Sequence, residues 1–462
     1  MLTLQDFLRE HRADILHIEK PVPLEHVGAL TGQAPDTIVF ENLEGYPDWR
    51  LVDQLFATRE SQARAIGCAP NEVNQKMAAA LREGPKPLRL VDEAPCQEVV
   101  LEGDDVDLHA LPIVTHTDLD PYPYVTGFVV HKDPETDQYN LMFPRSGVLD
   151  RDEMVSSFVT PTANQILAKH KEAGTKMPQA QVVGVHPAWE AAGVYTHPHR
   201  TWWEPELFET LTGQPGEMVK CKTVDLMVPA DASLVIEGYV STDRRAQDGP
   251  SPGPTMLFTP YISQQPVFEV TAITMRGSDL VYRNHQMTPW TDHQELPRLY
   301  HEAIIWEKLF AMGIKPHTVH FNQAGGSLMC VIQVEPQMDG HVKDALLAVL
   351  GSTWINVKLV VAVDPDIDPF DPRDVLYAMA TRADPSKDFV IVDGARGFPF
   401  DPSATVIEEA FDHSKDTRFP SVVGKVGIDA TKPPPYRAAE RKDYDRAWPL
   451  HWNGVRLEDY LS

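Results

Sequence analysis

The stretch MVKCKTVDLMVPADASLVIEGYV, residues 218–240, carries short apolar runs on both sides of a turn built from proline and small residues. Further runs of this kind, such as YVTGFVVH, YNLMFPR and QAQVVGVHP, lie before it, and PVFEVTAITMRGSDLVYRNH follows it. Many short strands separated by glycine and proline are typical of an antiparallel sheet or barrel. The sequence therefore predicts a strand-rich domain over residues 111–296.

The segments that precede this domain have mixed patterns. LTLQDFLREH and NEVNQKMAAALREG have helical periodicity, whereas ILHIEKPV and DTIVFEN resemble strands. We therefore predict an α/β region over residues 1–110.

The segments that follow the strand-rich domain also alternate. LPRLYHEAIIWEKLFAMG predicts a helix over residues 297–315 that links two domains. SLMCVIQV, GHVKDALLAVLGS, VKLVVAVD and RDVLYAMATRA then alternate strand and helix, which is the pattern of βαβ units. Residues 316–462 are thus predicted to form a second α/β domain. Its aromatic tail, with Trp448, Trp452 and Leu461, is expected to pack on this chain or on a partner subunit.

Composition limits the classes of function. The chain has 462 residues and a net charge of −26. Proteins that bind nucleic acid neutralise phosphates with Lys and Arg, so this acidic chain is not expected to bind nucleic acid or anionic membranes. An anionic small substrate would need a local cationic pocket.

Cellular location is predicted from two absences. The sequence contains no run of about 18 apolar residues, and its charged start lacks the pattern of a signal peptide. The four cysteines, Cys68, Cys96, Cys221 and Cys330, have no C-x-x-C spacing, which favours a reducing compartment over a disulfide scaffold or cysteine zinc site. We expect a cytoplasmic protein.

An arginine ends one predicted strand. The turn HKDPETDQ joins VTGFVVH to YNLMF as a hairpin, so Asn140 and Arg145 lie on or just after a strand that enters the core. Arg145 could mark the exposed end of the strand, or it could form an anion site.

Three other segments could carry chemistry. Glu217 begins an apolar alternation, where it is either a surface residue or a functional carboxylate. The loop DGPSPGP, residues 248–254, has three prolines that restrict its backbone, although such loops are often simple connectors. Lys425 stands between two glycines in VVGKVGIDATK, where backbone and lysine could meet a phosphate.

Histidines raise the possibility of a metal hydrolase. His197 and His199 lie in VYTHPHRTWWEPE, and His285 and His293 lie in YRNHQMTPWTDHQELPR. A second metal-ligand motif does not follow them, so we do not favour a catalytic zinc.

In combination, these segments resemble the UbiD family of decarboxylases. The resemblance rests on residues 218–240, DGPSPGP, VFEVTAITMR, RDVLYAMATRADPSKDFVIVDG and GKVGIDATK, in this order, and extends over residues 1 to about 432. It implies an N-terminal α/β region, a split-barrel domain that binds prenylated FMN, a linking helix, and a C-terminal α/β oligomerisation domain.

The resemblance also implies a chemistry. Family members hold the phosphate of prenylated FMN with a divalent metal, usually Mn²⁺, and often K⁺. They catalyse reversible, non-oxidative decarboxylation of unsaturated or aromatic acids through a covalent adduct with the flavin, and CO₂ is released. A flavin prenyltransferase would supply the cofactor, and a homodimer or higher homo-oligomer is expected.

Family motifs assign roles to four residues. The Asn-x4-Arg motif matches Asn140 and Arg145, so Asn140 would bind the metal through its amide oxygen. Arg145 would lie above the flavin, paired with an acid and near the substrate carboxylate. Glu217 would be the metal-binding glutamate, and Lys425 would lie near the cofactor phosphate.

The sequence departs from the family pattern at two places. The first acid of the usual Glu-Arg-Glu trio is Asp248, and the position of the second acid falls near Gly253, which has no carboxylate. The metal-binding histidine should fall in residues 160–164, where there is none. Thr160, Asn164 or water could supply an oxygen ligand instead.

A proton must replace the departing CO₂. In a branch of the family that acts on furan-type acids, a histidine takes the role of the second acid, and His285 is the candidate here. His293 would line the substrate end of the pocket, unless both histidines only stabilise a loop.

The sequence thus predicts a decarboxylase of a heteroaromatic or aromatic acid, of the furoic, pyrrole-, indole- or benzoic-type. A decarboxylase of acrylic-type acids, a metal-dependent hydrolase and a non-catalytic flavin-binding protein are the alternatives.

Overall fold

The structure is a computed structural model. It describes all residues except 159, 196–201, 253–257, 260–261, 353–356, 399–400, 407–420, 453 and 461–462. Of the predicted features, His197, His199, Gly253 and Leu461 lie outside the described residues. No helix among the residues it describes is long and apolar enough to cross a membrane.

The described residues alternate between helices and short strands. The α-helices are α1 (Leu4–Glu10), α2 (Val27–Thr31), α3 (Arg59–Ile66), α4 (Val73–Glu83), α5 (Pro161–Ala173), α6 (Pro187–Gly193), α7 (Phe208–Thr212), α8 (Asp292–Ala311), α9 (His341–Leu350), α10 (Pro372–Arg382) and α11 (Ala438–Lys442). The strands are β1 (Leu16–Ile18), β2 (Ile38–Phe40), β3 (Trp49–Asp53), β4 (Arg89–Val91), β5 (Val99–Glu102), β6 (Tyr124–Val125), β7 (Phe128–Lys132), β8 (Tyr139–Met142), β9 (Ser146–Asp150), β10 (Glu153–Ser156), β11 (Met177–Val183), β12 (Glu217–Lys220), β13 (Met227–Pro229), β14 (Leu234–Asp248), β15 (Ser251–Pro252), β16 (Phe258–Thr259), β17 (Ser263–Met275), β18 (Leu280–Arg283), β19 (Pro316–Phe321), β20 (Met329–Val334), β21 (Leu359–Val363), β22 (Phe389–Arg396), β23 (Thr405–Val406) and β24 (Ser421–Ala430).

The N-terminal region is built on a four-stranded sheet of order β1-β2-β3-β18. The last of these strands comes from far along the chain and pairs in parallel with β3, Leu280 opposite Trp49 and Arg283 opposite Val52. Since β18 ends in this sheet, the residues after it, including His285, emerge beside the end of β3.

The middle of the chain forms a nine-stranded sheet of order β6-β9-β10-β17-β14-β11-β7-β8, with β5 paired to β17. Strands β7 and β8 form the predicted hairpin, with His131 opposite Asn140. The strand pairs of this sheet are antiparallel, as the sequence predicted. Within the described residues its two end strands, β6 and β8, do not pair with each other, so the split barrel stays an interpretation.

The C-terminal region is a six-stranded sheet in which β20, β21 and β24 run in parallel. Alternate residues of β21 face opposite layers. Val360 and Ala362 pack in a cluster with α9, whereas Val361 and Val363 pack in a cluster with α10. Burial on both faces explains the continuous apolar run LVVAV, and the βαβ prediction is confirmed.

The mixed α/β architecture is also confirmed, whereas the domain boundaries stay predictions. Pairing of β5 with β17 and of β18 with β3 crosses the boundary placed at residue 110. In the aromatic tail, Trp448 and Trp452 stack at 5.1 Å between ring centroids and are 54% and 56% exposed. Partner contacts of the tail are therefore still a prediction.

A buried ion-pair network joins the N-terminal region, α8 and the C-terminal sheet. The Arg59 guanidinium lies 2.7 Å from Glu302 Oε2, which also accepts a hydrogen bond from Asn74 at 2.8 Å. Glu302 Oε1 accepts the N–H of Phe321 at 2.9 Å and lies 3.2 Å from His320 Nδ1. Burial alone would raise the pKa of Glu302, but Arg59 and His320 outweigh it and lower this pKa to about 2.

Glu302→Gln tests this network. The substitution leaves the buried Arg59 guanidinium without a counter-charge, so we expect a loss of about 3–5 kcal/mol in the free energy of unfolding, measured by denaturant titration. Glu307→Gln on the same helix removes an exposed ion pair with Arg82 and should cost less than about 1 kcal/mol. Equal effects of the two substitutions would contradict the importance of the network.

Candidate active site

The centre of the candidate site is a buried ion pair between Arg145 and Asp248. Arg145 Nη2 lies 2.9 Å from Asp248 Oδ1, and the same oxygen accepts the Tyr124 hydroxyl at 3.1 Å. The guanidinium also lies over the Tyr124 ring, 5.0 Å from its centroid. The predicted partnership of Arg145 and Asp248 is therefore present in the geometry.

Three strand ends of the large sheet bring these groups together. Arg145 lies between β8 and β9, and its carbonyl accepts the Ser157 N–H at 3.1 Å. Asp248 is the last residue of β14, and Tyr124 is the first residue of β6. The backbone at Arg145 is anchored in the sheet, and its side chain is paired with Asp248. The position of the guanidinium is therefore restricted.

One edge of the Arg145 guanidinium makes no hydrogen bond with the described residues. Its Nη1 is buried and has no hydrogen-bond partner among the described residues. A buried donor without a partner is costly, and a carboxylate ligand would satisfy it. The interpretation of Arg145 as an exposed strand end is therefore not supported, because its side chain is 12% exposed.

Two further titratable groups lie in the electrostatic field of this pair. Burial lowers the pKa of His293 to about 4, with smaller effects from His285 and Arg145. Burial raises the pKa of Asp120, which Thr117 and Arg145 partly offset and Asp248 reinforces. His293, a predicted pocket residue, is thus near Arg145, and Asp120 was missed from the sequence.

His285 has both ring nitrogens engaged within the protein. Arg283 Nη2 lies 3.3 Å from Nδ1, and Nε2 lies 3.2 Å from Glu190 Oε1. A guanidinium can only donate, so Nδ1 is the acceptor and the proton on Nε2 is directed at Glu190. This geometry differs from the predicted one, in which His285 gives its proton to a substrate, because no nitrogen is free to do so.

The residues around His285 form a second buried cluster, centred on Arg283. Its guanidinium lies 3.3 Å from Glu190 and 3.4 Å from Asp53, and it also pairs with Asp292. Arg283, Asp53 and Asp292 have no solvent exposure. The cluster ties β18 to β3, α6 and the first residue of α8.

Carboxylates outnumber the arginine in this cluster, and burial shifts the pKa of one of them upwards. Burial, followed by the charge of Asp292, raises the pKa of Asp53 to about 8, against the opposing effects of Arg283 and Asn284. For Glu190, Arg283 and His285 outweigh burial and keep the pKa below its ordinary value. Burial and Asp292 thus favour the protonated form of Asp53, whereas Arg283 and His285 favour the ionised form of Glu190.

Asn140 is a buried polar residue whose predicted role as a metal ligand stays a prediction. It is buried on β8, and its Nδ2 has no hydrogen-bond partner among the described residues. Two residues further along β8, Met142 accepts a hydrogen bond from the Thr160 hydroxyl at 3.6 Å. Thr160 therefore lies near the face of β8 that carries Asn140, whereas the Asn164 amide donates to the carbonyls of Phe158 and Thr160.

Glu217 and Lys425 have partners elsewhere. Glu217 pairs with the exposed Arg89 at 3.3 Å, on the small sheet formed by β4, β12 and β13. Lys425 Nζ donates to the Leu350 carbonyl at 3.2 Å inside the C-terminal region, and burial lowers its pKa. The contacts of the described residues bring neither side chain to Asn140 or Arg145, so both predicted roles lack structural support.

A different glutamate lies in a segment that contacts β8. The Trp203 ring is tilted against the Tyr139 ring with 4.5 Å between ring centroids, so the segments that carry Asn140 and Glu204 meet. Glu204 is 3% exposed and begins a 3₁₀ turn over Glu204–Leu207. The sequence contains one signal for this residue, which is an acid within the aromatic stretch TWWEPELF. Aromatic neighbours indicate burial, and a carboxylate is rarely buried without a partner.

A complete metal centre is not evident from side chains alone. The part of the chain that the structure describes contains no group of three or more His, Cys, Asp or Glu residues that could hold a metal ion. An amide oxygen and one carboxylate are nevertheless ligands that a hard cation accepts, with phosphate oxygens or water to complete its shell.

Comparison with known families identifies the class. The chain matches the model of the 3-octaprenyl-4-hydroxybenzoate carboxy-lyase Rift-related domain over residues 89–288. It also matches the corresponding C-terminal domain over residues 297–430. The protein is therefore a carboxy-lyase, and it belongs to the UbiD family of decarboxylases.

Individual relatives cover the whole chain. The UbiD-class enzyme HmfF from Pelotomaculum thermopropionicum, solved in complex with FMN, is 31% identical with a TM-score of 0.87, and the match covers 100% of both chains. Anhydromevalonate phosphate decarboxylase from Methanosarcina mazei is 28% identical over 96% of this chain and 99% of that protein. The fold is shared with apo 3,4-dihydroxybenzoic acid decarboxylase from Enterobacter cloacae, at 24% identity and a TM-score of 0.85, over 100% of this chain and 99% of that one.

Asp53→Asn tests the protonated carboxyl of the Arg283 cluster. In the unfolded chain Asp53 loses its proton near pH 3.8, whereas the folded chain keeps it to about pH 8. At a pH between these two pKa values, unfolding releases a proton from Asp53. The free energy of unfolding therefore decreases as pH rises, by at most about 1.4 kcal/mol per pH unit from this group. The variant should lose this part of the slope in denaturant titrations from pH 5 to 8.

Asp48→Asn, at an exposed position just before the same strand, serves as the control and should keep the parent slope. An unchanged slope in Asp53→Asn would mean that Asp53 is ionised in the folded protein.

Proposed function

We propose that this protein catalyses the reversible, non-oxidative decarboxylation of a heteroaromatic or aromatic acid with prenylated FMN as its cofactor. The observation that carries the proposal is the buried Arg145–Asp248 pair, whose Nη1 has no partner among the described residues. A planar guanidinium with a free edge suits a planar carboxylate. The FMN complex of the HmfF relative supports a flavin cofactor.

The residues present fit a flavin phosphate held through a divalent cation such as Mn²⁺. Asn140 offers a buried amide, Thr160 lies near the same face of β8, and Glu204 offers a buried carboxylate. We propose Glu204, in place of Glu217, as the carboxylate that acts with Asn140. Among the described residues we assign no ligands to the predicted K⁺.

Each side chain has a separate role in the proposed reaction. Arg145 binds the substrate carboxylate and orients it, which replaces a bimolecular search with a fixed geometry. Asp248 and the Tyr124 hydroxyl hold Arg145 in place. When bound, prenylated FMN supplies the electrophilic centre that accepts the electron pair left as CO₂ departs.

A second candidate substrate follows from one relative. Anhydromevalonate phosphate decarboxylase matches nearly the full chain, so a phosphorylated acid is an alternative to an aromatic one. Acrylic-type acids are a further alternative. A phosphorylated acid would need additional cationic groups around its phosphate.

One experiment separates these possibilities. The protein is expressed with a flavin prenyltransferase, and the mass and absorbance spectrum of its bound cofactor are measured. Furoic, pyrrole-, indole-, benzoic- and acrylic-type acids and anhydromevalonate phosphate are then screened for CO₂ release. Release from an aromatic or heteroaromatic acid supports the proposal, whereas flavin-loaded protein that is inactive on all of these acids overturns it.

Arg145→Lys tests the carboxylate-binding role. Lysine keeps the charge but has no planar fork, so we expect kcat/KM to fall by roughly 10²–10³-fold on the best acid of the screen. Arg244→Ala is the control, since Arg244 is an exposed residue on β14 that pairs with Glu153 and Glu269, and it should keep the parent rate. Parent activity in Arg145→Lys would move the active site elsewhere.

Flavin content tests the two glutamates against each other. If the cation bridges Asn140 and Glu204 to the phosphate, Glu204→Gln and Asn140→Ala should reduce the flavin bound after purification by tenfold or more, on the order of the 10–100-fold loss seen at perturbed metal sites. Glu217→Gln removes only a pair with exposed Arg89 and should leave it unchanged. The reverse outcome would restore Glu217 as the ligand.

A further inference from the structure

The site described so far lacks a proton source. The Tyr124 hydroxyl donates a hydrogen bond to Asp248, Asp248 is paired with Arg145, and both ring nitrogens of His285 are engaged. Arg145 cannot lose a proton in a protein. Yet the carbon that loses CO₂ must receive a proton, so another group has to provide it.

Asp120 has the geometry of an available carboxyl group. Its Oδ2 accepts the Thr117 N–H at 2.9 Å and the Thr117 hydroxyl at 3.0 Å, which fixes the side chain in a tight turn. Its Oδ1 has no hydrogen-bond partner among the described residues. The side chain is half-buried, so it can exchange protons with solvent.

The loop that carries Asp120 lies against the Arg145–Asp248 pair. Tyr122 packs edge-on against Tyr124 at 6.2 Å, and a Cβ on Gly147 would meet both rings within 2.9 Å. Tyr124 in turn contacts both Arg145 and Asp248. The charges also act on each other, because Arg145 and Asp248 affect the pKa of Asp120, and Asp120 affects that of Tyr124.

Substrate binding would favour the protonated form of Asp120. In the free protein, burial and Asp248 raise the pKa of Asp120, whereas Thr117 and Arg145 lower it. A substrate carboxylate bound to Arg145 would weaken the lowering effect of that guanidinium and add a nearby negative charge, so the pKa of Asp120 would rise further.

His293 is a weaker candidate for the same task. Burial lowers its pKa to about 4, so at neutral pH its ring is uncharged. A neutral imidazole is a very poor acid, and the nearby Arg145 guanidinium further disfavours the protonated ring. His293 is therefore better suited to contact the substrate than to protonate it.

We propose that Asp120 is the proton donor of the decarboxylase reaction and takes the place of the acid missing near Gly253. The bond between the substrate carbon and its carboxylate breaks, CO₂ leaves, and the Asp120 proton forms the new C–H bond. Asp120 is left as a carboxylate and regains a proton from solvent. This inference rests on the proposed function.

The kinetic test uses flavin-loaded protein and the best acid of the screen. Asp120→Asn should lower kcat by roughly 10²–10⁴-fold with little change in KM or flavin content. It should also slow hydrogen exchange at the product carbon in heavy water, whereas Asp120→Glu should restore part of both rates. Asp118→Asn, on the exposed side of the same loop, is the control and should match the parent.

The second test needs no cofactor or substrate. Carboxyl ¹³C chemical shifts of aspartate-labelled protein are followed against pH, and the Asp120 signal is identified by its loss in Asp120→Asn. Its midpoint should lie above that of an ordinary aspartate and should fall in Asp248→Asn, because a negative charge that raises it is removed. A midpoint that does not move in Asp248→Asn would mean that Asp120 does not face the pair, and would overturn the inference.

The failures of the two proposals are distinguishable. If the parent protein releases no CO₂ from any acid, the proposed function is wrong and the inference falls with it. If the parent is active and Asp120→Asn exchanges hydrogen at the parent rate, only the inference is wrong.

Discussion

Much of the structure around the candidate site depends on one buried cation, Arg283. Its guanidinium contacts Glu190 on α6, Asp53 at the end of β3 and Asp292 at the start of α8. These groups are taken out of water at a cost of several kcal/mol each, which their contacts with one shared guanidinium offset. The cluster thereby connects the N-terminal sheet to α6 and to the start of α8.

The same cluster determines which groups remain for chemistry. Arg283 and Glu190 together contact the two nitrogens of His285. Arg145, by contrast, has one carboxylate partner among the described residues and a buried Nη1 that makes no hydrogen bond with them. The two arginines thus differ in how many neighbouring carboxylates balance their charge.

The sequence predicts these features unequally. The hairpin of Asn140 and Arg145 was predictable, since its turn residues and strand periodicity are local signals. Glu190 and Glu204 were not, because each lies in a short helical segment, and only tertiary packing buries the side chain and gives it a partner. The role of Lys425 stays a prediction, because the glycines near it lie on a strand of the C-terminal sheet, which a local motif does not reveal.

The acidic character of the chain is compatible with a carboxylate substrate for an electrostatic reason. At physiological ionic strength, charges more than about 8 Å apart in solvent are largely screened from each other, so the net charge of −26 acts weakly on a ligand inside the site. Inside the protein the effective dielectric constant is lower, so the charge of a buried guanidinium is screened far less. Arg145 therefore makes the largest contribution to the electrostatic potential beside its Nη1. Within the described residues Asp248 is the carboxylate that pairs with Arg145, so the local potential on the other side of the guanidinium stays positive.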